Sequence, residues 1–383
     1  MGTHPSNPSH VVHPLFPSTS LSDLIAQSPA SSLSPSVASR FSNALPFLLK
    51  ILSINKALSI QAHPNKSLAE QLHARDPEHY PDGNHKPEMA IALTEFEGLC
   101  GFRPLAQIAR FLKEVQPLRA LVGEDVAKEF VDGVQNEDED ADPTARGKSL
   151  LKSAFSALMR SSASSIETQC HALIGTLSTL SLNDIPATLI TRLNDAFPAD
   201  IGIFVLFFLN HVHLQPGEAL FLVADDIHAY LAGDIVECMA ASDNVVRAGF
   251  TPKFKDVTTL VDMLTYNYAP IAAQKMEPVP YAYQTTNAAA YSAGSETLLY
   301  DPPIGEFAVT RSVVKGGAGA RVTFEPVRGP SVWICTGGEG TLGAEKVQEG
   351  AVFFVNNGTE VVVRGGEGEL VLFRAFCEVN DEQ

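Results

Sequence analysis

The sequence predicts a mostly β protein with a helical insert, and three observations support this fold class. Apolar segments compatible with strands run over residues 47–61 and begin again near residue 214. Between them, residues 103–202 contain apolar side chains at helical spacing. Over 307–376, short apolar segments alternate with glycine-rich turns, which is typical of a sandwich or barrel such as a jelly roll. Two β regions that flank a helical insert indicate two related jelly rolls.

Three stretches of the insert show the helical period most clearly. The third is preceded by Asn183 or Asp184 as the expected N-cap, with Pro186 in its first turn. The acidic run 136–142 separates the first two stretches and is typical of a solvated loop. The apolar positions are Leu105, Ile108, Ala109, Phe111 and Leu112; Leu150, Leu151, Ala154, Phe155 and Leu158; and Ile185, Leu189, Ile190, Leu193 and Phe197.

Length and charge narrow the classes of function. A chain of 383 residues is too long for one compact core, so we expect two or three domains. The formal net charge of -17 disfavours nucleic acid and anionic membrane surfaces as partners. An anionic small-molecule substrate would require a local cluster of lysine and arginine that overcomes this overall negative field.

The cysteines and the apolar runs bear on the cellular compartment. Five cysteines without a CxxC pair favour reduced thiols over a disulfide framework or a cysteine-rich zinc site. The first ten residues, MGTHPSNPSH, lack the basic and apolar regions of a signal peptide. The longest apolar run, 201–209, is far shorter than the roughly 20 residues of a membrane span. We therefore expect a cytoplasmic protein.

Two short motifs place polar side chains close to predicted strands. Gln61 and His63 are separated by one residue, so on a strand their side chains point the same way. Carbonyl oxygen and neutral imidazole are both acceptable zinc ligands. Pro87 biases Lys86 towards an extended backbone, which would put Lys86 and Glu88 on one face. Taken alone, each motif is more typical of an incidental pair or a polar loop.

The segment 217–253 contains the strongest functional signal. Much of it is apolar, yet it includes a set of ionisable and hydrogen-bonding side chains. Burying such a group without a partner costs about 1–3 kcal/mol, so a metal or substrate site would explain their presence. The polar side chains are His228, Tyr230, Glu237, Asp243, Asn244, Arg247 and Lys253.

Together these segments supply one candidate metal centre. It combines two oxygen and two nitrogen ligands, which suits Zn²⁺, although manganese, iron or cobalt would also be chemically acceptable. The glycine turn at Gly217, leading along a strand to a histidine, resembles the second metal-binding motif of cupins. The four candidate ligands are Gln61, His63, Glu88 and His228.

Three long strings of the sequence resemble the type I mannose-6-phosphate isomerases. They occur in the order and at the separations of that family, and the likeness extends over the whole chain. It is sharpest over 59–104 and 215–260. The strings are SIQAHPNKSLAEQLH, YPDGNHKPEMAIALTEFEGLCGFRP and IHAYLAGDIVECMAASDNVVRAGFTPKF.

The resemblance implies two jelly-roll (cupin) domains with an α-helical domain inserted in the metal-bearing one. The metal-bearing catalytic domain would comprise 1–102 and 203–270, the helical insert 103–202, and a C-terminal jelly roll without metal 271–383. The implied activity interconverts mannose 6-phosphate and fructose 6-phosphate through an enediol(ate). In the family the product feeds GDP-mannose synthesis, and we expect a monomer.

The resemblance also implies one zinc ion per chain, held by the four candidate ligands, and a set of pocket residues. Arg247 takes the active-site arginine position, where it would hold developing negative charge or bind phosphate. Glu237 and Lys86 are candidates for proton transfer, and the sequence does not rank them. The expected substrate-binding residues are Ser59, Tyr230, Asp243 and Lys253, of which Ser59 and Lys253 are further phosphate candidates.

Two features depart from the family pattern. Family members usually begin well before the MGTHPS string, so an early strand and a tryptophan-bearing segment near the pocket are expected to be missing. That loss would leave an unpaired sheet edge and reduced activity. His211 and His213 have the spacing of a metal pair on a strand, but the family does not use that position, and we interpret the pair as a surface or strand feature.

The region after about residue 300 contains no histidine, so it cannot repeat the metal site. We expect it to pack against the catalytic domain and stabilise it.

Two other functions stay open at this point. A metal-dependent cupin oxygenase would use iron held by His63, Glu88 and His228, but a fourth ligand and the nearby basic residues argue against it. A sugar-binding or structural cupin would retain the motif without turnover. Oxygen consumption with Fe²⁺, and binding of mannose 6-phosphate without turnover, would distinguish these alternatives.

Overall fold

The computed structural model describes most of the chain, and within that part the protein is mostly β with a helical segment, as the sequence predicts. The acidic run 136–142 and Asn183 lie outside the described residues. The described residues are 1–13, 18–135, 143–180, 184–286, 295–317 and 320–379.

Three short helices precede the first strand, in a stretch rich in serine and proline. Ser20 caps the first helix by accepting a hydrogen bond from the Asp23 amide, and Ser34 caps the third in the same way from Val37. Strands and one further helix follow. The elements are α1 (Leu21–Gln27), α2 (Pro29–Leu33), α3 (Pro35–Arg40), β1 (Phe47–Ile54), β2 (Ile60–Ala62), α4 (Lys66–Arg75), β3 (Glu88–Ala92) and β4 (Phe96–Phe102).

The helices that follow β4 share one apolar core with the outer face of the first sheet. Phe111, Leu151 and Ile190 are fully buried there, together with Leu99 and Leu231 from strands. The apolar positions predicted from the helical period therefore face this core. The helices are α5 (Leu105–Glu114), α6 (Gln116–Val122), α7 (Glu124–Gln135), α8 (Pro143–Met159), α9 (Ala163–Thr176), α10 (Ala187–Ala196) and α11 (Gly202–Val205).

The start of α10 differs from the prediction. Pro186, expected in the first turn, is the N-cap residue and supplies no side-chain hydrogen bond. Asp184, expected as a cap, accepts a hydrogen bond from Arg110 of α5 instead. A guanidinium brought close by tertiary packing offers the carboxylate a charged partner, which local sequence cannot reveal.

The second β region completes a nine-stranded sheet with the order β5-β4-β7-β3-β6-β9, in which β1 also pairs with β7, and β2 with β7 and β8. Its first strand begins at Leu209 rather than near residue 214. The elements are β5 (Leu209–Leu214), β6 (Ala219–Leu222), β7 (His228–Ala240), β8 (Val246–Gly249), α12 (Val257–Met263) and β9 (Lys275–Met276).

The C-terminal region is a second β structure of a six-stranded and a five-stranded sheet, with the orders β10-β12-β13-β20-β15-β18 and β11-β14-β19-β16-β17. Trp333 lies in the core between them. The short strands predicted over 307–376 are confirmed. The strands are β10 (Val279–Pro280), β11 (Gln284–Thr286), β12 (Glu296–Tyr300), β13 (Ala308–Lys315), β14 (Val322–Phe324), β15 (Ser331–Gly337), β16 (Glu339–Leu342), β17 (Glu345–Gln348), β18 (Val352–Val355), β19 (Val361–Gly365) and β20 (Glu369–Phe376).

The other face of the six-stranded sheet packs against the first β region. Phe47 and Met89 from the first region share a buried cluster with Val309 and Phe373 from the second. This contact is the packing role expected of the C-terminal region. Among the described residues, no helix combines the length and the apolar character needed to cross a bilayer.

Strand β7 changes partners at Gly233. Residues 228–232 pair with β2 and β4, whereas 233–240 pair with β1 and β3. Gly233 has φ +104°, and a Cβ built there would lie 2.4 Å from the Glu95 carbonyl oxygen. Only glycine fits this left-handed conformation and close approach without strain.

Replacement of Gly233 by alanine should lower the free energy of unfolding by about 2 kcal/mol or more, because backbone strain adds to a steric clash. Urea unfolding of the variant measures the change. Gly175→Ala is the matched control: no atom lies within 4 Å of its added Cβ, so it should be neutral or stabilising by up to about 1 kcal/mol. Equal midpoints for the two variants would contradict the argument.

Candidate metal centre and active site

Pairing along β7 brings the candidate ligands to one place. Gln61 of β2 lies directly opposite His228, the first residue of β7. Glu88 begins β3, whose pairing with β7 starts at Met239. His63 follows immediately after β2. The four side chains, separated by up to 167 positions in sequence, therefore converge within the first β region.

The ligand atoms of this cluster are spaced as a metal site requires. Glu88 Oε1 lies 3.3 Å from His63 Nε2, and Glu88 Oε2 lies 3.3 Å from His228 Nε2. Ligand atoms around a tetrahedral zinc, each at about 2.0–2.2 Å from it, are roughly 3.4 Å apart. His228 Nε2 and Glu88 Oε2 are buried and have no hydrogen-bond partner among the described residues. The residues present thus fit a divalent metal ion.

Gln61 borders the cluster on its less buried side. Its Nε2 lies 3.4 Å from His63 Nε2, and its Oε1 accepts a hydrogen bond from the Ser59 hydroxyl at 3.0 Å. Rotating the terminal amide by 180° exchanges these two atoms and directs the carbonyl oxygen to the cluster. The Ser59 hydroxyl can accept from the amide nitrogen as readily as it donates to the oxygen.

Burial sets the protonation of the cluster. It lowers the pKa of His63 to about 4, against the opposing charge of Glu88, so this imidazole is neutral near pH 7. Burial alone would raise the pKa of Glu88, but its electrostatic interactions with His63 and Lys86 hold that pKa well below its usual range. Neutral imidazole and ionised carboxylate are the ligand forms of these groups.

The ring of His63 is oriented by a loop that Asp82 organises. His63 Nδ1 donates to the Asn244 carbonyl oxygen at 2.6 Å. The Asp82 carboxylate accepts from the Ser242 hydroxyl at 2.8 Å, from the Asp243 amide at 2.8 Å and from Asn244 Nδ2 at 3.2 Å. Asp82 was not among the predicted site residues. The Pro-Asp-Gly-Asn string around it marks a turn but does not disclose these partners.

Two lysines lie close to buried carboxylates in the same first β region. Lys86 Nζ is 3.2 Å from Glu88 Oε1. Lys50 Nζ donates to Glu237 Oε2 at 3.2 Å, and the two residues are directly opposite each other on β1 and β7. Burial and the charge of Glu88 raise the pKa of Glu237. Lys50 was not predicted, although a single lysine within the apolar string FLLKILSI is a signal that could have found it.

Tyr230 and Arg247 lie beside the candidate metal ligands. The Tyr230 hydroxyl is buried without a hydrogen-bond partner among the described residues, and burial raises its pKa well above the usual value. Its ring centroid is 6.0 Å from that of His228. Arg247 is half-buried and pairs with Gln61 across β2 and β8. A neutral phenol and a guanidinium thus border the cluster.

The structure does not bring Asp243 and Lys253 into contact with this cluster. The Asp243 carboxylate is exposed, with His4 Nε2 at 3.6 Å. The Lys253 side chain is exposed, and its amide donates to Thr251. Their expected substrate contacts stay predictions.

Family models match the chain in three segments. The model for the phosphomannose isomerase type I catalytic domain matches residues 1–105, that for the helical insertion domain 121–209, and that for the C-terminal region 297–345. Mannose-6-phosphate isomerase of Aspergillus fumigatus is 54% identical over 405 residues, covering 100% of this chain and 88% of the relative. The chain belongs to the type I phosphomannose isomerase family. It is therefore an isomerase, and the resemblance found in the sequence is confirmed.

Other relatives and solved structures agree with the assignment to this isomerase family. The Saccharomyces cerevisiae mannose-6-phosphate isomerase is 45% identical over 392 residues, covering 99% of this chain and 89% of the relative. A histidine-to-alanine variant of the Salmonella typhimurium phosphomannose isomerase superposes with a TM-score of 0.83 at 28% identity, covering 99% of this chain and 90% of that one. A mannose 6-phosphate isomerase bound with zinc and yttrium superposes with a TM-score of 0.81 at the same identity and coverage. The predicted fold class of two cupin jelly rolls with a helical domain is thereby confirmed.

Removal of the Asp82 carboxylate should weaken metal binding. Asp82→Ala removes the hydrogen bonds that hold the loop whose Asn244 carbonyl orients His63. Loss of a group that orients a metal ligand typically lowers metal affinity by about 10–100-fold. Competition with a zinc chelator measures the dissociation constant, and thermal unfolding checks the fold. Asp262→Ala, which removes an exposed carboxylate from α12, serves as control. Equal zinc affinity in both variants would show that the loop does not position His63.

Proposed function

We propose that this isomerase interconverts mannose 6-phosphate and fructose 6-phosphate with zinc held by Gln61, His63, Glu88 and His228. The observation that carries the proposal is the buried cluster of two imidazoles and a carboxylate at 3.3 Å separations, with unpartnered ligand atoms. The substrates named for the curated relatives support it. The zinc reported for one related structure supports the choice of metal.

An anionic substrate needs a local cluster of basic residues in a chain whose net charge is -17, and the positively charged side chains near the candidate metal centre can supply it. Lys50, Lys86 and Arg247 all belong to the first β region, and Arg247 remains half-exposed. A guanidinium binds phosphate or a developing oxyanion through paired hydrogen bonds. Ser59 and Lys253 are additional candidates for phosphate, since Lys253 is exposed and free to reach a bound ligand.

Aldose–ketose isomerisation transfers a proton between C1 and C2 and another between the two oxygens, through an enediol(ate). When bound, zinc would supply Lewis-acid polarisation or orientation of the sugar oxygens. Glu237 and Lys86 are our candidates for the proton transfers, and Lys50 holds the Glu237 carboxylate in place. Arg247 would stabilise the developing negative charge, while Tyr230 and Asp243 would contact sugar hydroxyls.

The remaining assignments follow from this function. We propose the domain division 1–102 with 203–270, 103–202, and 271–383, and the separate family models that match residues 1–105, 121–209 and 297–345 support it. We also propose a cytoplasmic monomer whose product feeds GDP-mannose synthesis. The five free, buried cysteines are in keeping with a reducing compartment.

Zinc-loaded protein should convert mannose 6-phosphate to fructose 6-phosphate, and EDTA treatment should abolish turnover. Arg247→Ala should lower kcat by about 10²–10³-fold, because a charge-stabilising donor is lost. Arg364→Ala removes an exposed arginine of β19 and should leave the rate unchanged. Absence of turnover by folded, zinc-bound protein would contradict the proposal, and binding without turnover would favour the sugar-binding alternative.

Replacement of Lys50 by alanine should lower kcat by about 10²-fold or more, with a smaller effect on KM, because Glu237 loses its charged partner inside the barrel. Steady-state kinetics measures both constants. Lys128→Ala on α7 is the control, because it removes a solvent-exposed lysine whose ion pair among the described residues is with Asp132. An unchanged kcat in Lys50→Ala would exclude a role for the Lys50–Glu237 pair.

A further inference from the structure

The histidine pair noted in the sequence lies on the ladder between β4 and β5. His213 is directly opposite Glu97, and His211 is opposite Leu99, two residues further along β4. Residues two apart on a strand share a face, and a cross-strand pair shares it as well. His211, His213 and Glu97 therefore project from one side of the sheet, the side on which Leu99 packs against the helices.

These three side chains form a compact group. His211 Nε2 lies 2.7 Å from Glu97 Oε1, and the centroids of the two histidine rings are 4.6 Å apart. One ligand atom from each of the three lies within 4.8 Å of the others. The side chains of His211 and Glu97 are only 6% and 15% exposed, whereas His213 is exposed. The group is thus held on one side and open to water on the other.

A residue of the helical segment completes the arrangement. Arg192 of α10 donates a hydrogen bond to Glu97 Oε2, which leaves Oε1 directed at His211. Ligand carboxylates are commonly oriented by a hydrogen bond of this kind to the oxygen that does not coordinate.

His213 is available as a ligand. Among the described residues it has a ring contact with His211 but no hydrogen-bond partner. Two imidazoles, one carboxylate and open positions for water are the ligand set of many three-residue zinc sites.

We propose that Glu97, His211 and His213 form a second site for a divalent transition metal, with Zn²⁺ as the expected ion. The three residues that would hold it are distinct from the four of the barrel centre, and none of them is placed in the catalytic machinery. A metal there would replace the proton between His211 and Glu97 and would tie β4 and β5 to α10 through Arg192.

The test is a calorimetric titration of Zn²⁺ into protein that already holds one zinc ion at the centre formed by Gln61, His63, Glu88 and His228. Total metal is measured after gel filtration. Wild-type protein should bind one further equivalent. His213→Gln should weaken that equivalent by at least about 10-fold, while retaining the first equivalent and the rate with mannose 6-phosphate. The control His171→Gln replaces an exposed histidine of α9 and should match wild type.

Two results would overturn the second site. One is a wild-type protein that binds no zinc beyond the barrel equivalent. The other is a further equivalent that persists in His213→Gln, which would place that metal elsewhere. Both outcomes are independent of the proposed catalytic function, because turnover is measured separately and depends on the barrel centre.

Discussion

Strand β7 pairs with β1, β2, β3 and β4, and this pairing sets the geometry of the candidate metal centre. It puts His228 opposite Gln61 and Glu237 opposite Lys50. Because side chains alternate between the two faces of a strand, a shift of one residue would turn these groups away from one another. The change of partners at Gly233 lets one strand serve two parts of the curved sheet.

The centre gathers several ionisable groups where little water reaches. An isolated buried charge costs several kcal/mol even after relaxation of the protein. Glu88 is 1% exposed and has two imidazoles and the Lys86 ammonium around its two oxygens. Glu237, 4% exposed, is balanced by Lys50. Each buried carboxylate thus has its own basic partner, and this pairing offsets the cost of burying the two negative charges.

The fold was largely accessible from the sequence because its signals are local. Helical spacing located the cores of α5, α8 and α10, and apolar segments between glycine-rich turns located the strands of the C-terminal region. Prediction from local sequence failed where a residue distant in the chain supplied the hydrogen-bond partner. Asp184, expected to cap α10, accepts a hydrogen bond from Arg110 instead. Such prediction also could not pair strands across the helical insert, since sequence spacing does not encode which strands become neighbours.

The sequence by itself determined the fold class, the family and the side chains able to bind a metal. The reason is that strand alternation, helical period and motif strings are properties of residues close together in the chain. Only the tertiary structure decided which of those side chains meet. It brought His63 and His228 to one carboxylate, added Lys50 and Asp82, and left Asp243 and Lys253 exposed. It also placed the ligand atoms of Glu97, His211 and His213 within 4.8 Å of one another. The physical reason is that distances of about 3 Å between ligand atoms arise from strand register and packing between residues far apart in the chain.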